Sequence, residues 1–394
     1  MDLIDCEIFD NLAFDIENKA LSLLVLIDGI MVKIMVEKRR RFRDLGVEIG
    51  TLPTGQYNAI TDVSGVEVGH CTVIQDNPNT LRTGVTAILP LGRNKVWSHG
   101  LFAGCSVFNG YGEMTGRGWL EEAGQLSSPI LLTSYYGVGA VHRGINQLCD
   151  DIDIHSGTHP IVAETWDGWL SDPNAFALTT EHVEKALNDA DSGPVEEGCV
   201  GGGTGMVCHD FKAGIGTSSR KVEIEGETYT LGVLVQANYG DRSDFRVNGV
   251  SVGAKIPASE VPVPDRKKVP HTEDGSIIIV VATDAPLLSK QCDRLAKRAV
   301  LGLGRAGGFG HNGSGDYVVA FSTGNILNLR EEGLHQDIKA LPEKDINLLF
   351  HAVVEATEEA IVNSVCQATT TEGYKGRVVY ELPLEVLKSI MSSE

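Results

Sequence analysis

Basic charge is scarce in this sequence: 53 Asp and Glu residues stand against 33 Lys and Arg, a formal net charge of −20. Such an excess repels a phosphate backbone, and no compact basic patch offsets it, so nucleic acid is excluded as a partner. Paired cysteines are missing as well. The eight, at positions 6, 71, 105, 149, 199, 208, 292 and 366, form no Cys-x-x-Cys pair and no zinc spacing, which fits reduced thiols in a cytoplasmic protein. Cys292 and Cys366 read as helix-core residues. Long hydrophobic runs are also lacking. The stretch from Ala20 to Val36 is broken by Asp28 and Lys33 and is too short and too charged for a membrane span. Its basic residues, Lys38 to Arg41, follow the apolar run, the reverse of a secretory signal.

Several catalytic and cofactor signatures are absent too. There is no Gly-x-Ser-x-Gly elbow, and the Gly201–Gly205 run lacks the Gly-Lys-Ser/Thr ending of a phosphate loop, which leaves a tight backbone turn. Gly302-Leu-Gly-Arg-Ala-Gly307 has dinucleotide spacing but follows a helical pattern instead of a strand. His155 and His159 are four apart, yet Gly157 and Pro160 argue against the helix that would align them on a metal. No cofactor and no metal are expected.

What is there is a globular chain of 394 residues, 42% hydrophobic, 22% charged and rich in glycine. Residues 1–43 differ in texture from the rest and read as an extension of unknown role, a docked helix being one form for it; residues 44–394 read as one catalytic domain. β-branched runs separated by glycine turns predict strands between Asn58 and Pro90, Ala59–Val68 included. Residues 109–124 read as a long structured loop with Glu113, Glu121 and Glu122 solvated. Further strands are expected at Pro129–Thr133, at Pro160 onward, at Tyr229–Ala237 and at Asp316–Thr323. Helical spacing runs over Val138–Leu148, from Thr180 to about Asp189, from an Asp284 cap to Gly302, and from Asp345 to about Ala368. Lys255–Gly275 carries four prolines and a charge cluster and reads as an exposed connector. Strands followed by helices predict sheets covered by helices in layers.

One stretch joins a polar loop directly to an apolar strand: His271-Thr-Glu-Asp-Gly-Ser276, then Ile277 to Val281 without alternation. Such a strand is buried on both faces. Ser276 stands at its mouth. By itself Asp274-Gly-Ser276 is ordinary turn chemistry. A serine hydroxyl is a poor nucleophile unless a base takes its proton, and no His-Asp partner set is evident. Cleavage of the Gly275–Ser276 bond would supply one, because Ser276 would gain an α-amino group with a pKa of about 7.7–8.0.

Gly201-Gly-Gly-Thr-Gly-Met206, Gly214-Ile-Gly-Thr-Ser-Ser-Arg220, Val235-Gln-Ala-Asn-Tyr-Gly240, Gly275-Ser-Ile-Ile-Ile-Val-Val-Ala-Thr-Asp-Ala-Pro286 and Ser314-Gly-Asp316 occur here in this order. The pattern resembles the family of the L-aminopeptidase/D-amino-acid esterase-amidase and the β-peptidyl aminopeptidases, over roughly Asn58 to Leu387. These are self-processing serine peptidases with a four-layer αββα sandwich, resembling N-terminal nucleophile hydrolases with a different connectivity.

The resemblance implies that Ser276 is the nucleophile in self-cleavage and in turnover, that Ser314 and Asp316 orient and polarise it, and that Asn238 donates to the oxyanion. It implies that Glu164 pairs with the substrate ammonium and that Trp166 walls the first pocket. Some relatives carry tyrosine there, and tryptophan is closer to the β-peptidyl branch. Self-cleavage would yield residues 1–275 and 276–394, which stay associated as an αβ unit, with four such units in a tetramer. Substrates would be short peptides, aminoacyl amides or esters, with β-amino-acid and D-aminoacyl compounds among them. Two alternatives remain open at this point. One is an N-acetyltransferase resembling the ornithine acetyltransferases, which use threonine where Ser276 stands. The other is an uncleaved binding protein.

Overall fold

The computed structural model describes residues 13–15, 20–27, 30–37, 39–151, 159–265, 275–329 and 335–393. The chain separates into a unit ending at Arg40 and a second unit from Arg41 to Glu394. In the first, β1 (Ala13–Asp15), β2 (Ala20–Ile27) and β3 (Ile30–Glu37) form an antiparallel sheet. The expected helix is therefore replaced by a hairpin. Asp28-Gly29 between the two longer strands is a strong two-residue turn signal, and Ile27 pairs with Ile30 across it.

The second unit contains β4 (Glu67–Gln75), β5 (Leu81–Leu89), β6 (His99–Gly110), α1 (Arg117–Ala123), β7 (Gln125–Leu126), β8 (Ile130–Ser134), α2 (Val138–Asp151), β9 (Ile161–Thr165) and α3 (Thr180–Asn188). It continues with β10 (Ile215–Ile224), β11 (Glu227–Asn238), β12 (Ser276–Thr283), α4 (Ser289–Arg305), β13 (Gly315–Asn328), α5 (Asn347–Cys366) and α6 (Leu384–Ser392). Two sheets result, one in the order β10-β11-β12-β13-β6-β7 and one in the order β4-β5-β8-β9. Their facing sides share one apolar core, in which Ile278, Val280, Val319 and Phe321 meet Ile88, Leu132, Ile161 and Ala163. Helices α4 and α5 cover the outer face of the larger sheet, and α2 and α3 cover that of the smaller. This is the expected αββα order, and all eight residues of β12 are buried.

Several local expectations differ from what the tertiary contacts select. Ile60–Asp62 is a 3-10 turn, and the strand begins only at Glu67. The glycine-rich 109–124 segment is strand up to Gly110 and helix from Arg117. Asp284 does not cap α4, which starts at Ser289; its carboxylate instead accepts the Thr230 N–H at 2.7 Å. Gly302 does not end that helix. It lies where α4 crosses α5, and a Cβ there would come 2.6 Å from the Val354 carbonyl oxygen. In the proline-rich connector, Ile256 and Val261 are buried in the core. His155 and the loop from His271 to Asp274 lie outside the described residues.

The Gly214–Arg220 motif explains how α5 is held. A Cβ at Gly216 would come 2.0 Å from the Ala360 carbonyl oxygen, and Ser218 Oγ donates to the Ala356 carbonyl at 2.6 Å. Arg220, fully buried, pairs with Glu355 at 3.0 Å and Glu359 at 2.6 Å, one helical turn apart. Burial alone would raise both carboxyls. Arg220, with Thr51 and Leu52 N–H groups at Glu355 and Arg43 at Glu359, holds them below the usual carboxylate range.

Replacing Arg220 by Ala leaves two buried carboxylates without their shared cation and is expected to cost about 3–5 kcal/mol. Urea unfolding checks this, and a loss inside the scatter of surface substitutions would show the network to be dispensable. Because the folded-state values are depressed, this stabilisation is complete above the unfolded glutamate value of about 4.3 and disappears as pH falls through the lower folded values.

Candidate active site

Ser276 opens β12 and is 6% exposed. Asn238 stands opposite it on antiparallel β11, and Gly315 stands opposite it on parallel β13. Strands in a sheet lie about 4.8 Å apart, so one row across three strands brings together residues far apart in the chain. Ser314 and Asp316 flank that row. The Gly275 carbonyl accepts the Gly315 N–H at 3.2 Å. A Cβ on Gly275 would come 2.3 Å from the Asn238 carbonyl oxygen, so close backbone approach alone requires glycine before Ser276.

Ser314 Oγ donates to Asp316 Oδ1 at 2.7 Å, and both residues are buried. Burial pushes the Asp316 carboxyl up to about 6, against the Ser314 hydrogen bond, the Ile277 N–H and the charge of His311. Its Oδ2 is buried without a hydrogen-bond partner, a state that costs about 1–3 kcal/mol. Asn238 is clamped at both ends: Oδ1 accepts the Val207 N–H and Nδ2 donates to the Trp166 carbonyl, each at 2.9 Å. An amide nitrogen carries two hydrogens, so one remains for a group in the site.

Glu164 is the penultimate residue of β9 and is 3% exposed. Burial pushes its carboxyl up to about 7; the Glu113 N–H, donating to Oε1 at 3.0 Å, opposes this, and the charges of Asp167 and Glu113 reinforce it. A Cβ built on Gly112 would meet Glu164 Oε1 at 3.1 Å, Gly315 Cα at 3.1 Å and the Tyr317 ring at 3.2 Å. The carboxylate therefore lies beside the start of β13, at Gly315. Trp166, half-buried, packs with Trp169, Leu170, Val207 and Val379. The residues singled out in the sequence are thus joined in a chain of neighbours: Asn238 and Gly315 stand opposite Ser276, Ser314 and Asp316 flank Gly315, the Trp166 carbonyl accepts from Asn238, and the Glu164 carboxylate lies near Gly315. Glu113 contributes its main-chain N–H and its charge, and the side chains of Glu121 and Glu122 are exposed, with Arg117 3.3 Å from Glu121.

Three residues at the site carried no sequence signal. Asn109 Nδ2 lies within hydrogen-bond reach of the carbonyls of His311, Asn312 and Ser314, among which its two hydrogens are shared, and so pins the turn that presents Ser314. In sequence Asn109-Gly110 is only a turn pair; the pairing of β6 with β13 sets Asn109 opposite Asp316. Tyr317 Oη donates to the Gly112 carbonyl at 2.8 Å and fixes the glycine segment over Glu164. Asp167, buried next to Trp166, is raised to about 6 by burial, which outweighs the polar groups around it. Only the tyrosine could have been anticipated, from its place two residues after Gly315 on the same buried strand. Among the described residues no helix is long and apolar enough to cross a membrane.

Comparison with known proteins agrees with the geometry. Residues 58–379 match the model of peptidase family S58. β-Peptidyl aminopeptidase BapA of Sphingosinicella microcystinivorans is 43% identical over 365 residues, which cover 89% of this chain and 91% of that protein. A β-aminopeptidase of a Burkholderia species superimposes with a TM-score of 0.82 at 42% identity, over 90% of this chain and 99% of its own. The L-aminopeptidase D-Ala-esterase/amidase of Ochrobactrum anthropi, described as a prototype for the serine aminopeptidases and a variant of the Ntn-hydrolase fold, superimposes with a TM-score of 0.83 at 38% identity over 90% and 98% of the two chains. With a family match from Asn58 to Val379 that takes in every residue of the site, the chain belongs to peptidase family S58.

Proposed function

We propose that the chain is a self-processing serine aminopeptidase whose nucleophile is the N-terminal Ser276 of a cleaved chain. The observation that carries this reading is the row of Asn238, Ser276 and Gly315 set beside the buried carboxylate of Glu164. In maturation, the Ser276 hydroxyl attacks the Gly275 carbonyl, the peptide nitrogen leaves as the Ser276 amine, and water hydrolyses the resulting ester. Residues 1–275 and 276–394 remain associated. The new amino group finds an acceptor in Asp316, whose Oδ2 has no other partner.

In turnover, the Ser276 amine takes the proton from its own hydroxyl, with Ser314 and Asp316 orienting both groups. The hydroxyl attacks the carbonyl after the first residue of a short peptide, amide or ester. Asn238 Nδ2 donates to the oxyanion, an interaction of a kind that contributes about 2.7–4 kcal/mol. The amine product leaves with the returned proton, and water clears the acyl-enzyme. Glu164 holds the free ammonium of the substrate, which limits cleavage to the N-terminal residue, and Trp166 bounds the pocket for that residue. The names of the BapA and Burkholderia relatives favour β-amino-acid substrates, and Trp166 agrees with that branch. Assembly of αβ units into a tetramer and a cytoplasmic location complete the proposal, the latter supported by the free thiols of Cys71, Cys105, Cys199 and Cys292.

Denaturing electrophoresis of mature wild-type protein should give two bands, with the smaller beginning at Ser276 by N-terminal sequencing; Ser276→Ala should give one. A single full-length wild-type band would remove the self-processing step. Glu164→Ala should retain both bands and lose activity on free-amine substrates, and equal rates on N-acetylated and free substrates in the wild type would count against the ammonium contact. The raised Glu164 value sets a sign: its carboxylate fills as pH rises through about 7, so KM should rise as pH falls below that value. In Glu164→Gln that dependence should vanish, and a wild-type KM unchanged from pH 8 to 6 would argue against Glu164 as the binding group.

A further inference from the structure

Asp167 follows Trp166 in the chain, but the proposed reaction makes no use of its carboxylate. Trp166 packs into an apolar cluster with Trp169 and Val207, whereas Asp167 lines a separate pocket with Thr83 of β5 and Ser134 of β8. Tyr136, just before α2, and Phe176, shortly before α3, stand at the same pocket. None of the six residues singled out in the sequence lines it.

The floor is polar and incompletely satisfied. Asp167 is 2% exposed, and among the described residues no cation pairs with it. A carboxylate taken out of water without a counter-ion is costly. Thr83 is 5% exposed, and its Oγ1 is buried without a hydrogen-bond partner. The mouth, by contrast, is aromatic: the Tyr136 and Phe176 rings meet edge to face with centroids 6.0 Å apart, and both are exposed. Phe176 holds a φ of 46°, in the left-handed region that a bulky side chain rarely enters. Strain of this kind gathers at ligand clamps.

We propose that this pocket is a binding site for a primary alkylammonium, with the charged head against Asp167, Thr83 and Ser134 and the alkyl stem at Tyr136 and Phe176. The cavity measures about 20 Å³, room for one group the size of a water or an ammonium head. An ammonium has three N–H donors and no acceptor. The carboxylate and the two hydroxyls offer acceptors for all three. Aromatic rings at the mouth suit such a ligand through cation–π attraction and through burial of its stem.

Charge sets the selectivity. The other ionisable side chain in the wall, Asp172, is also acidic, and no basic side chain lines the pocket among the described residues. An anion would therefore meet two acids. A free α-amino acid carries its carboxylate one carbon from the ammonium and is repelled in the same way, so simple amines are preferred to amino acids. A bare metal cation would find the carboxylate but gain nothing from the apolar mouth. The site stands whether or not the proposed peptidase reaction does.

The experiment titrates n-propylammonium against full-length Glu164→Gln protein by ligand-observed NMR, a background in which the ammonium contact proposed for the active site adds nothing. At pH 8 the Asp167 carboxyl, raised to about 6, is charged. Saturable binding is expected, with neutral N-propylacetamide and zwitterionic glycine each at least about tenfold weaker. Adding Asp167→Asn should weaken propylammonium at least about tenfold. Phe176→Ala, at the exposed mouth, should weaken it about two- to fivefold and keeps the test readable if the Asp167 variant does not fold. No saturable binding, or binding unchanged by both substitutions, would overturn the site. So would equal binding of N-propylacetamide, which would leave only an apolar contact, or displacement of propylammonium by an equal concentration of potassium chloride, which would mark a metal-cation site.

Discussion

Everything at the site depends on how the Ser276 strand is held. β12 has a partner on each edge, antiparallel on the β11 side and parallel on the β13 side, and its side chains are buried on both faces. Such a strand cannot slip its register without breaking two ladders and moving apolar side chains out of two cores. Ser276 is the first residue of that immobile element, so its hydroxyl starts from a fixed point. The two neighbouring strands bring to it an amide from β11 and the Ser-Gly-Asp segment that opens β13, groups separated by tens of residues in the chain.

Close backbone approach is the second constraint, and it explains the glycine motifs better than loop freedom does. Gly275 lies against the Asn238–Tyr239 backbone and Gly315 against Gly112, while Gly202 and Gly203 fit between the two sheets, where a Cβ would reach Gln236 on one side and the Ile215 N–H on another. The Gly201–Gly205 run is thus a 3-10 turn wedged into the sandwich, with Gly201 and Gly202 N–H groups donating to Thr72 and Thr86. Gly214–Arg220 belongs to the same class, since it seats α5 and anchors it by a buried ion pair. A motif shared along a family can therefore serve packing and leave the chemistry to its neighbours.

Much of the architecture was legible because apolar patterning is a local property. The unbroken Ile277–Val281 run declared a strand buried on both sides, and the spacing of Leu349, Val353, Ile361 and Val365 declared the inward face of α5; all are buried. Element ends were less legible. Asp284-Ala-Pro286 has the form of a helix cap, but the Thr230 N–H competes for the Asp284 carboxylate and α4 begins later. Gly302 has the form of a stop, yet a helix crossing needs a residue without a side chain there. The N-terminal run was periodic enough for either element, and the Asp28-Gly29 pair was the signal for a hairpin.

From the sequence alone came the identity of the chemical groups: a serine before a buried strand, an asparagine, a Ser-Gly-Asp turn and a strand-end glutamate, together with the family pattern that links them. Residue type and order suffice for that, since a functional group's intrinsic chemistry belongs to its side chain. Their perturbed environments were decided only by the tertiary structure. Glu164 is raised to about 7 and Asp316 to about 6 chiefly because both are taken out of water, and burial depends on which sheets face each other. Asn109 became visible for the same reason. Its partners lie some two hundred positions away in the chain, and no local pattern encodes a contact over such a distance.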